Sequence, residues 1–508
     1  MFCTINSLGL NGIEPYLISV EVDNSKAVTA FEIVGLADQV VRESRDRIRS
    51  AINNCGFTFP KGRVIVNLAP ASTKKIGTIY DLPILLGLLK CAGYIEKDLS
   101  KMVFLGELSL NGELRPVKGV LPMLLQAGEL GLKSAFIPLA NGAEGSIAED
   151  IDVYAISDIV ELIDFLNDKT NLEMACKISP KAHTTEDLLD MSDVKGQLLA
   201  KRALEIAAAG SHNVLLIGPP GTGKSMLAKR LPSILPSLSY REAVESTKIH
   251  SVAGLISDGE GILTSRPFRS PHHTVSPAGL SGGGTNPRPG ELSLAHNGVL
   301  FLDELPEFSR MAMEVLRQPL EDGKVTISRA NAKLTYPSNV MLVAAMNPCP
   351  CGYFGHPTKE CICSKNSVTR YLNRVSGPLL DRLDLHIEVS PVNYSELSSV
   401  NHEESSVEIK ARVERVRQIQ EERFKEYNFH SNAKIPSSLL QKYCALTDDA
   451  QHMLKIAFDK IGMSARAYDR VLKVSRTIAD IDNSDLINST HISEAIQYRN
   501  LDRKYWNL

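Results

Sequence analysis

Eight consecutive residues constrain this chain more than any others: Gly218, Pro219, Pro220, Gly221, Thr222, Gly223, Lys224 and Ser225. They follow a short apolar run, residues 213–217, that predicts a strand, and they precede a helix-forming run at residues 226–231. A glycine-rich loop in that setting cradles phosphate, because its backbone N–H groups turn inward and the helix N-terminus adds partial positive charge. Lys224 is then expected to reach the β and γ phosphates of ATP, and Ser225 to offer its hydroxyl to Mg²⁺. The alternative is a chance glycine-rich turn, and the complete match between a strand and a helix weighs against it.

Two further apolar runs end in the residues such a cradle needs. Val299, Leu300, Phe301 and Leu302 predict a buried strand that ends in Asp303 and Glu304. Ligands bind at the C-terminal ends of strands in open α/β sheets. Asp303 is therefore expected in the Mg²⁺ shell, and Glu304 is expected to polarise the attacking water as general base. An isolated Asp-Glu pair is more often a surface feature opening a helix; its position about eighty residues after a phosphate loop, behind four apolar residues, favours the chemical reading. Residues 340–346 predict a third strand, ending in Asn347, whose amide suits a place beside the γ-phosphate.

The 508 residues exceed one compact core, and the length prior suggests roughly three domains. The apolar fraction of 43% and charged fraction of 23% are those of a globular protein, and a net charge of −3 neither requires nor excludes a nucleic-acid partner. No run approaches the roughly 18 to 20 apolar residues of a membrane span, and the N-terminus lacks the layout of a signal peptide, so a cytoplasmic protein without a membrane partner is expected.

Residues 1–167 alternate strand-like segments (16–22, 63–68, 133–137) with helical ones (40–53, 82–92, 121–130), as in an α/β or α+β domain. Residues 168–187 turn polar and predict a linker, residues 188–395 form the second α/β block, and residues 396–508 predict a helical lid with no strand.

Five of the nine cysteines stand singly, as reduced thiols do. Cys349 and Cys351, then nine residues, then Cys361 and Cys363 give two close pairs. Four thiolates can close a tetrahedral Zn²⁺ site, although a one-residue spacer is tighter than usual; unliganded loop cysteines, or His356 in place of one ligand, are the alternatives. Residues 324–336 alternate like a hairpin.

The motifs together resemble those of AAA+ ATPases: residues 218–225 look like Walker A, 300–304 like Walker B, and Asn347 like sensor 1. Residues 376–384, Ser-Gly-Pro-Leu-Leu-Asp-Arg-Leu-Asp, resemble the arginine-finger segment of the branch containing the magnesium chelatases and MCM helicases, which implies Arg382 as a finger acting on a neighbouring subunit's nucleotide. Ser464, Ala465 and Arg466 resemble sensor 2, which implies a role for Arg466; for both arginines a plain surface position is the alternative. Residues 267–273 (Pro-Phe-Arg-Ser-Pro-His-His), Gly282 to Gly284 and 289–298 resemble the magnesium-chelatase-like family, and the whole chain is similar to the YifB/ComM group. The domain before Asp168 is one that a chelatase motor subunit is not expected to carry.

That resemblance implies a Lon-protease-like α+β domain at the N-terminus, a P-loop AAA+ core and a helical lid. In the Lon-like segment Ile79 falls at the nucleophile position, Thr78 is one place off, and only Lys118 lies near the general-base position, so a fold without protease activity is expected. The resemblance further implies a homo-hexameric, ATP-dependent translocase acting on single-stranded and branched DNA, promoting branch migration during homologous recombination in natural transformation, with recombination proteins as candidate partners. Arg329 and Lys333 on the hairpin, and Arg269 and Arg288 in the glycine-rich insert, are the expected phosphate contacts. His272 and His273 of that insert are equally readable as structural. A chelatase-type ATPase remodelling a metal-insertion partner, and a regulatory scaffold that binds ATP without translocating, are the rival readings.

Overall fold

The computed structural model describes residues 1–175, 189–257, 259–284, 287–329, 332–356, 358–392, 403–499 and 501–506. The expected linker therefore lies largely outside the described residues. The chain divides into two compact units: Met1–Ala182 with Tyr240–Leu263 and Ala330–Tyr336, and His183–Ser239 with Thr264–Arg329 and Pro337–Leu508. Two stretches of the anticipated 188–395 block thus group with the N-terminal residues.

The first unit is built on a seven-stranded mixed sheet in the order Ala30–Val34, Arg63–Ala69, Glu14–Ser25, Phe2–Asn11, Met102–Phe104, Ser134–Pro138, Asp152–Ile156. Phe2–Asn11 and Glu14–Ser25 pair antiparallel along their length, from Phe2 opposite Asp23 to Asn11 opposite Glu14. Helix Asp81–Cys91 is buried on almost every side, which its near-continuous apolar sequence dictates, whereas Gln39–Asn54 buries only the stripe through Val41, Ile48 and Ile52. Asp38 caps the latter by accepting from the Val41 N–H.

In the second unit five parallel strands follow the order Phe268–Arg269, Val299–Leu302, Met341–Met346, Val214–Ile217, Leu385–Glu388. Every residue of Val214–Ile217, Val299–Leu302 and Met341–Met346 is buried, which is why these segments read as unbroken apolar runs instead of alternating ones. After Leu385–Glu388 the regular elements among the described residues are helices, with one isolated bridge between Leu446 and Ile487, and Ser405, Thr447, Ser464 and Asn488 each cap a helix by accepting a backbone N–H. Their apolar faces join the sheet's own core: Val474 and Ile478 pack in one cluster with Val214, Leu216 and Leu227.

A buried ionic link ties lid helix to sheet. The Asp384 carboxylate, 6% exposed, contacts the Arg470 guanidinium, accepts from the Asn213 N–H at 2.9 Å and stands 3.5 Å from His212 Nδ1. Burial opposes its ionisation, but the Arg470 charge, His212 and the Asn213 N–H outweigh burial and hold it well below the usual carboxylate range. A carboxyl whose folded pKa is depressed stabilises the fold above its unfolded value, about 4, and loses that contribution as pH falls further. Asp384→Asn is expected to destabilise the protein by about 3–5 kcal/mol near neutrality. The gap from wild type in denaturant unfolding should narrow progressively below about pH 4.

Candidate nucleotide site and cysteine knuckle

The phosphate loop leaves the C-terminal end of Val214–Ile217, the fourth strand in the sheet order, and enters helix Lys224–Ile234. Gly223 caps that helix at φ +90°, a left-handed conformation that glycine adopts without strain, and no side chain caps its first N–H groups. Uncapped helix N–H groups beside a glycine-rich loop are suited to anionic oxygens. Lys224 folds back under the loop and donates to the Gly218 and Pro219 carbonyls at 2.7 and 2.8 Å and to Asn347 Oδ1 at 3.1 Å. Burial lowers its pKa to about 8 against the opposing charges of Asp303 and Glu304.

Ser225 donates to Asp303 Oδ2 at 2.6 Å, and the other Asp303 oxygen accepts from the Glu304 N–H at 3.0 Å. The structure thus brings together the loop, the acidic pair and Asn347, three segments widely separated in sequence, because their strands are parallel neighbours that end on one side of the sheet. A hydroxyl and a carboxylate in direct contact at a phosphate loop form an oxygen-donor pair suited to Mg²⁺, a hard cation.

Glu304 has a partner that pattern reading missed. His273 Nδ1 lies 3.5 Å from Glu304 Oε2, and the His273 ring sits against His272 and edge-on to Phe308. The signal lies in strand register: Arg269 pairs beside Leu300, and His273 and Glu304 each come four residues later. Glu304 itself has φ +53°, a left-handed backbone uncommon outside glycine.

The two arginines of the expected inter-subunit site are placed differently. Arg382 is 9% exposed and turned inward, donating to the Arg317 carbonyl at 2.9 Å and the Pro378 carbonyl at 2.5 Å while contacting the Glu321 carboxylate. Arg466, 67% exposed, stands 3.5 Å from Asp381. Of the anticipated phosphate contacts, Arg269 is locked in a two-bond pair with Glu291 at 2.7 and 2.9 Å, whereas Arg288 and Lys333 are exposed. Lys324–Arg329 and Ala332–Pro337 form the expected two-stranded sheet, with Val325, Ile327, Leu334 and Tyr336 buried; the Arg329 side chain lies outside the described residues. In the segment expected from resemblance to be Lon-like, Ile79 is buried, Thr78 donates to Glu107, and Lys118 lies against Gly254.

Four sulfurs gather directly after Asn347. Cys349, Cys351 and Cys361 are 3.4 to 3.7 Å apart pairwise, and Cys363 completes a set whose sulfurs all lie within 4.8 Å of one another. A tetrahedral Zn–S bond of about 2.3 Å implies sulfurs roughly 3.8 Å apart, and a disulfide would need about 2.05 Å, so the spacing fits a four-thiolate metal and not a disulfide.

A central phosphate loop, an acidic strand end beside it, a polar strand end reaching Lys224 and a packed helical region define a P-loop ATPase of the AAA+ type. Residues 190–397 match the family model described as magnesium chelatase, subunit ChlI; residues 20–141 match subunit ChlI of Mg-chelatase; and residues 403–499 match the ChlI C-terminal region. The chain is 43% identical over 499 residues to the competence protein ComM of Haemophilus influenzae, covering 97% of this chain and 96% of that one. It is likewise 43% identical over 502 residues to YifB of Escherichia coli, with 97% and 96% covered. A more distant likeness, 23% over 299 residues, links 57% of the chain to 32% of the maternal DNA replication licensing factor mcm6 of Xenopus tropicalis. The chain belongs to the YifB/ComM family of magnesium-chelatase-like AAA+ ATPases. Because the N-terminal stretch itself matches a chelatase-subunit model, its presence does not by itself separate the chain from chelatase subunits.

Ser225→Ala removes one member of the oxygen pair without touching the cradle. We expect Mg²⁺-dependent nucleotide affinity to fall about ten- to hundredfold, with Mg²⁺-free binding unchanged, in titrations of a fluorescent ATP analogue.

Proposed function

We propose that this protein is an ATP-driven DNA translocase that works as a homo-hexamer in the cytoplasm and moves branch points in recombining DNA. The observation that carries this reading is the joined nucleotide site, in which Lys224 meets Asn347 and Ser225 meets Asp303. The full-length likeness to a protein named for competence, and the partial likeness to one named for DNA replication licensing, direct the ATPase toward DNA and natural transformation. In this reading Gly218 to Ser225 hold ATP, Ser225 and Asp303 hold Mg²⁺, Glu304 activates the water and Asn347 orients it. Arg382 exchanges its bonds to Glu321, Arg317 and Pro378 for a neighbouring subunit's phosphate, with Arg466 acting from the lid. Arg288 in the insert and Lys333 on the hairpin, both exposed, are the first candidates to grip DNA phosphates, with Arg329 of the hairpin a further candidate by resemblance; Arg269 shapes the insert through Glu291 instead. Zn²⁺ at Cys349, Cys351, Cys361 and Cys363 closes the knuckle. The first unit is a Lon-like domain without a dyad, supported by Ile79 at the nucleophile position and by the engagement of Thr78 with Glu107.

The matches to chelatase models favour one rival, a motor that remodels a metal-insertion partner. A gel assay of branch migration on a labelled junction, with ATP turnover measured with and without DNA, separates the two. Wild type should migrate the junction and hydrolyse ATP faster with DNA, and Lys224→Ala should lose both. Arg382→Ala should keep nucleotide binding and lose about 10³ to 10⁵ in turnover. Equal junction movement by wild type and Lys224→Ala removes the motor; turnover indifferent to DNA removes the DNA substrate and leaves the chelatase-type reading.

A further inference from the structure

The cysteine cluster is not remote from the nucleotide site. Asn347, which accepts from Lys224, is two residues from Cys349. On the other side of the turn the backbone of Gly352 presses on the phosphate loop: a Cβ built there would lie 2.6 Å from Pro220 Cδ. Gly352 also adopts φ +84° and donates its N–H to the Cys349 carbonyl at 3.0 Å, while the Cys349 sulfur accepts from the Phe354 N–H at 3.3 Å. The opposite flank is braced by the C-terminal helix Leu501–Trp506. The Phe354 ring lies 6.3 Å from that of Tyr505, whose hydroxyl donates at 3.0 Å to Glu388 at the end of the strand beside the P-loop strand. The knuckle is therefore wedged between Pro220 and a helix anchored to the core sheet.

Inside the wedge there is little to keep it stiff. Between Cys349 and Cys363 the described residues form no helix or strand, and two of them, Gly352 and Gly355, are glycines in left-handed conformations. Such a segment holds its shape through cross-links: the Thr358 and Lys359 N–H groups donate to His356 Nδ1 within it, and the four convergent sulfurs are the groups that bring its two ends together. A divalent ion bound to four thiolates would fix Gly352 relative to Cys349, and with it both Pro220 and Asn347.

We propose that the metal-loaded cysteine knuckle is a strut of the nucleotide pocket, so that occupancy of the Cys349–Cys351–Cys361–Cys363 site by Zn²⁺ sets the affinity of the phosphate loop for ATP. The proposal rests on the zinc assignment above and adds a coupling between two sites. Coupling of binding free energies is reciprocal: whatever factor zinc contributes to nucleotide affinity, the nucleotide contributes to zinc affinity.

The test uses the full-length protein under reducing conditions, as purified, after removal of metal by a chelator, and after reloading with Zn²⁺, with Mg²⁺ restored in every sample. Metal is counted per chain, and affinity for a fluorescent non-hydrolysable ATP analogue is measured. We expect about one Zn²⁺ per chain, a loss of nucleotide affinity of roughly tenfold on stripping, recovery on reloading, and slower loss of zinc to chelator when the analogue is bound, within the roughly 5- to 150-fold span of such couplings. Gly352→Ala should keep its zinc yet lose nucleotide affinity, because its new methyl group meets Pro220. Gly355→Ala places the same left-handed strain where a Cβ meets nothing closer than Lys504 at 3.8 Å, and should change neither. Absence of stoichiometric metal overturns the strut together with the zinc assignment and leaves the ATPase motor standing. Bound zinc whose removal leaves nucleotide affinity unchanged overturns the strut alone. Equal losses in the two glycine variants overturn the Pro220 contact as its route.

Discussion

Asn213 holds the ATPase core together at a single point. Its side-chain oxygen accepts from the Leu342 N–H at 2.8 Å, its side-chain nitrogen donates to the Arg382 carbonyl at 2.8 Å, and its backbone N–H donates to the Asp384 carboxylate at 2.9 Å. Its carbonyl accepts from the N–H groups of both Asp384 and Leu385. One residue at the entrance of the P-loop strand thus staples the strand carrying Asn347 on one side and the strand following Arg382 on the other. Parallel strands join through distant crossovers and have no tight turn to fix their register, so a polar side chain that reaches both neighbours performs that task. The Asp384–Arg470 link then extends the same point into the lid, and His212, next to Asn213, bonds Thr477 of the same lid helix at 2.8 Å. The phosphate-loop strand, the segment carrying Arg382 and the C-terminal helices share one polar hub.

At the other end of the same strand the chemistry is set by where Lys224 finds partners. An ammonium taken into a buried site loses hydration and must be repaid with acceptors. Here two loop carbonyls and the Asn347 amide oxygen provide them, while the charges of Asp303 and Glu304 moderate the downward shift in pKa. Phosphate oxygens are stronger acceptors for an ammonium than neutral carbonyls. Under the proposed function, an arriving nucleotide would therefore compete with the loop carbonyls and the Asn347 amide for Lys224.

Much of this was legible because it is local. The phosphate loop, the acidic strand end and the strand ending in Asn347 are contiguous patterns whose apolar runs are long enough to be unambiguous, and the helices at Asp448–Ile461 and Ala465–Ile481 announce themselves with Thr447 and Ser464 caps. Asp152–Ile156, Ser489–Gln497 and Leu501–Trp506, five, nine and six residues long, escaped because so short a run shows little periodicity, and Phe2–Asn11 escaped although its hairpin partner Glu14–Ser25 follows directly. The Asn213 staple, the Asp384–Arg470 pair and the approach of His273 to Glu304 are contacts between segments tens to hundreds of residues apart. Residue type alone cannot announce them. His273 was the most accessible of these, since equal offsets from paired residues of neighbouring parallel strands bring side chains to the same level.

Arg269 and Arg382 show how residue type misleads about availability. Both read as cations presented to a partner, yet each is committed within its own chain, Arg269 to Glu291 and Arg382 to Glu321 with two carbonyls. The two commitments differ in kind. Arg269 and Glu291 flank a glycine-rich turn and form a planar two-bond pair, an arrangement that favours one geometry and rigidifies the insert. Arg382 is held by an ion pair to a glutamate that is 54% exposed, beside its two carbonyl bonds. Under the proposed function, a guanidinium that must be withdrawn from its own subunit before it can meet a neighbour's phosphate would make hydrolysis conditional on assembly.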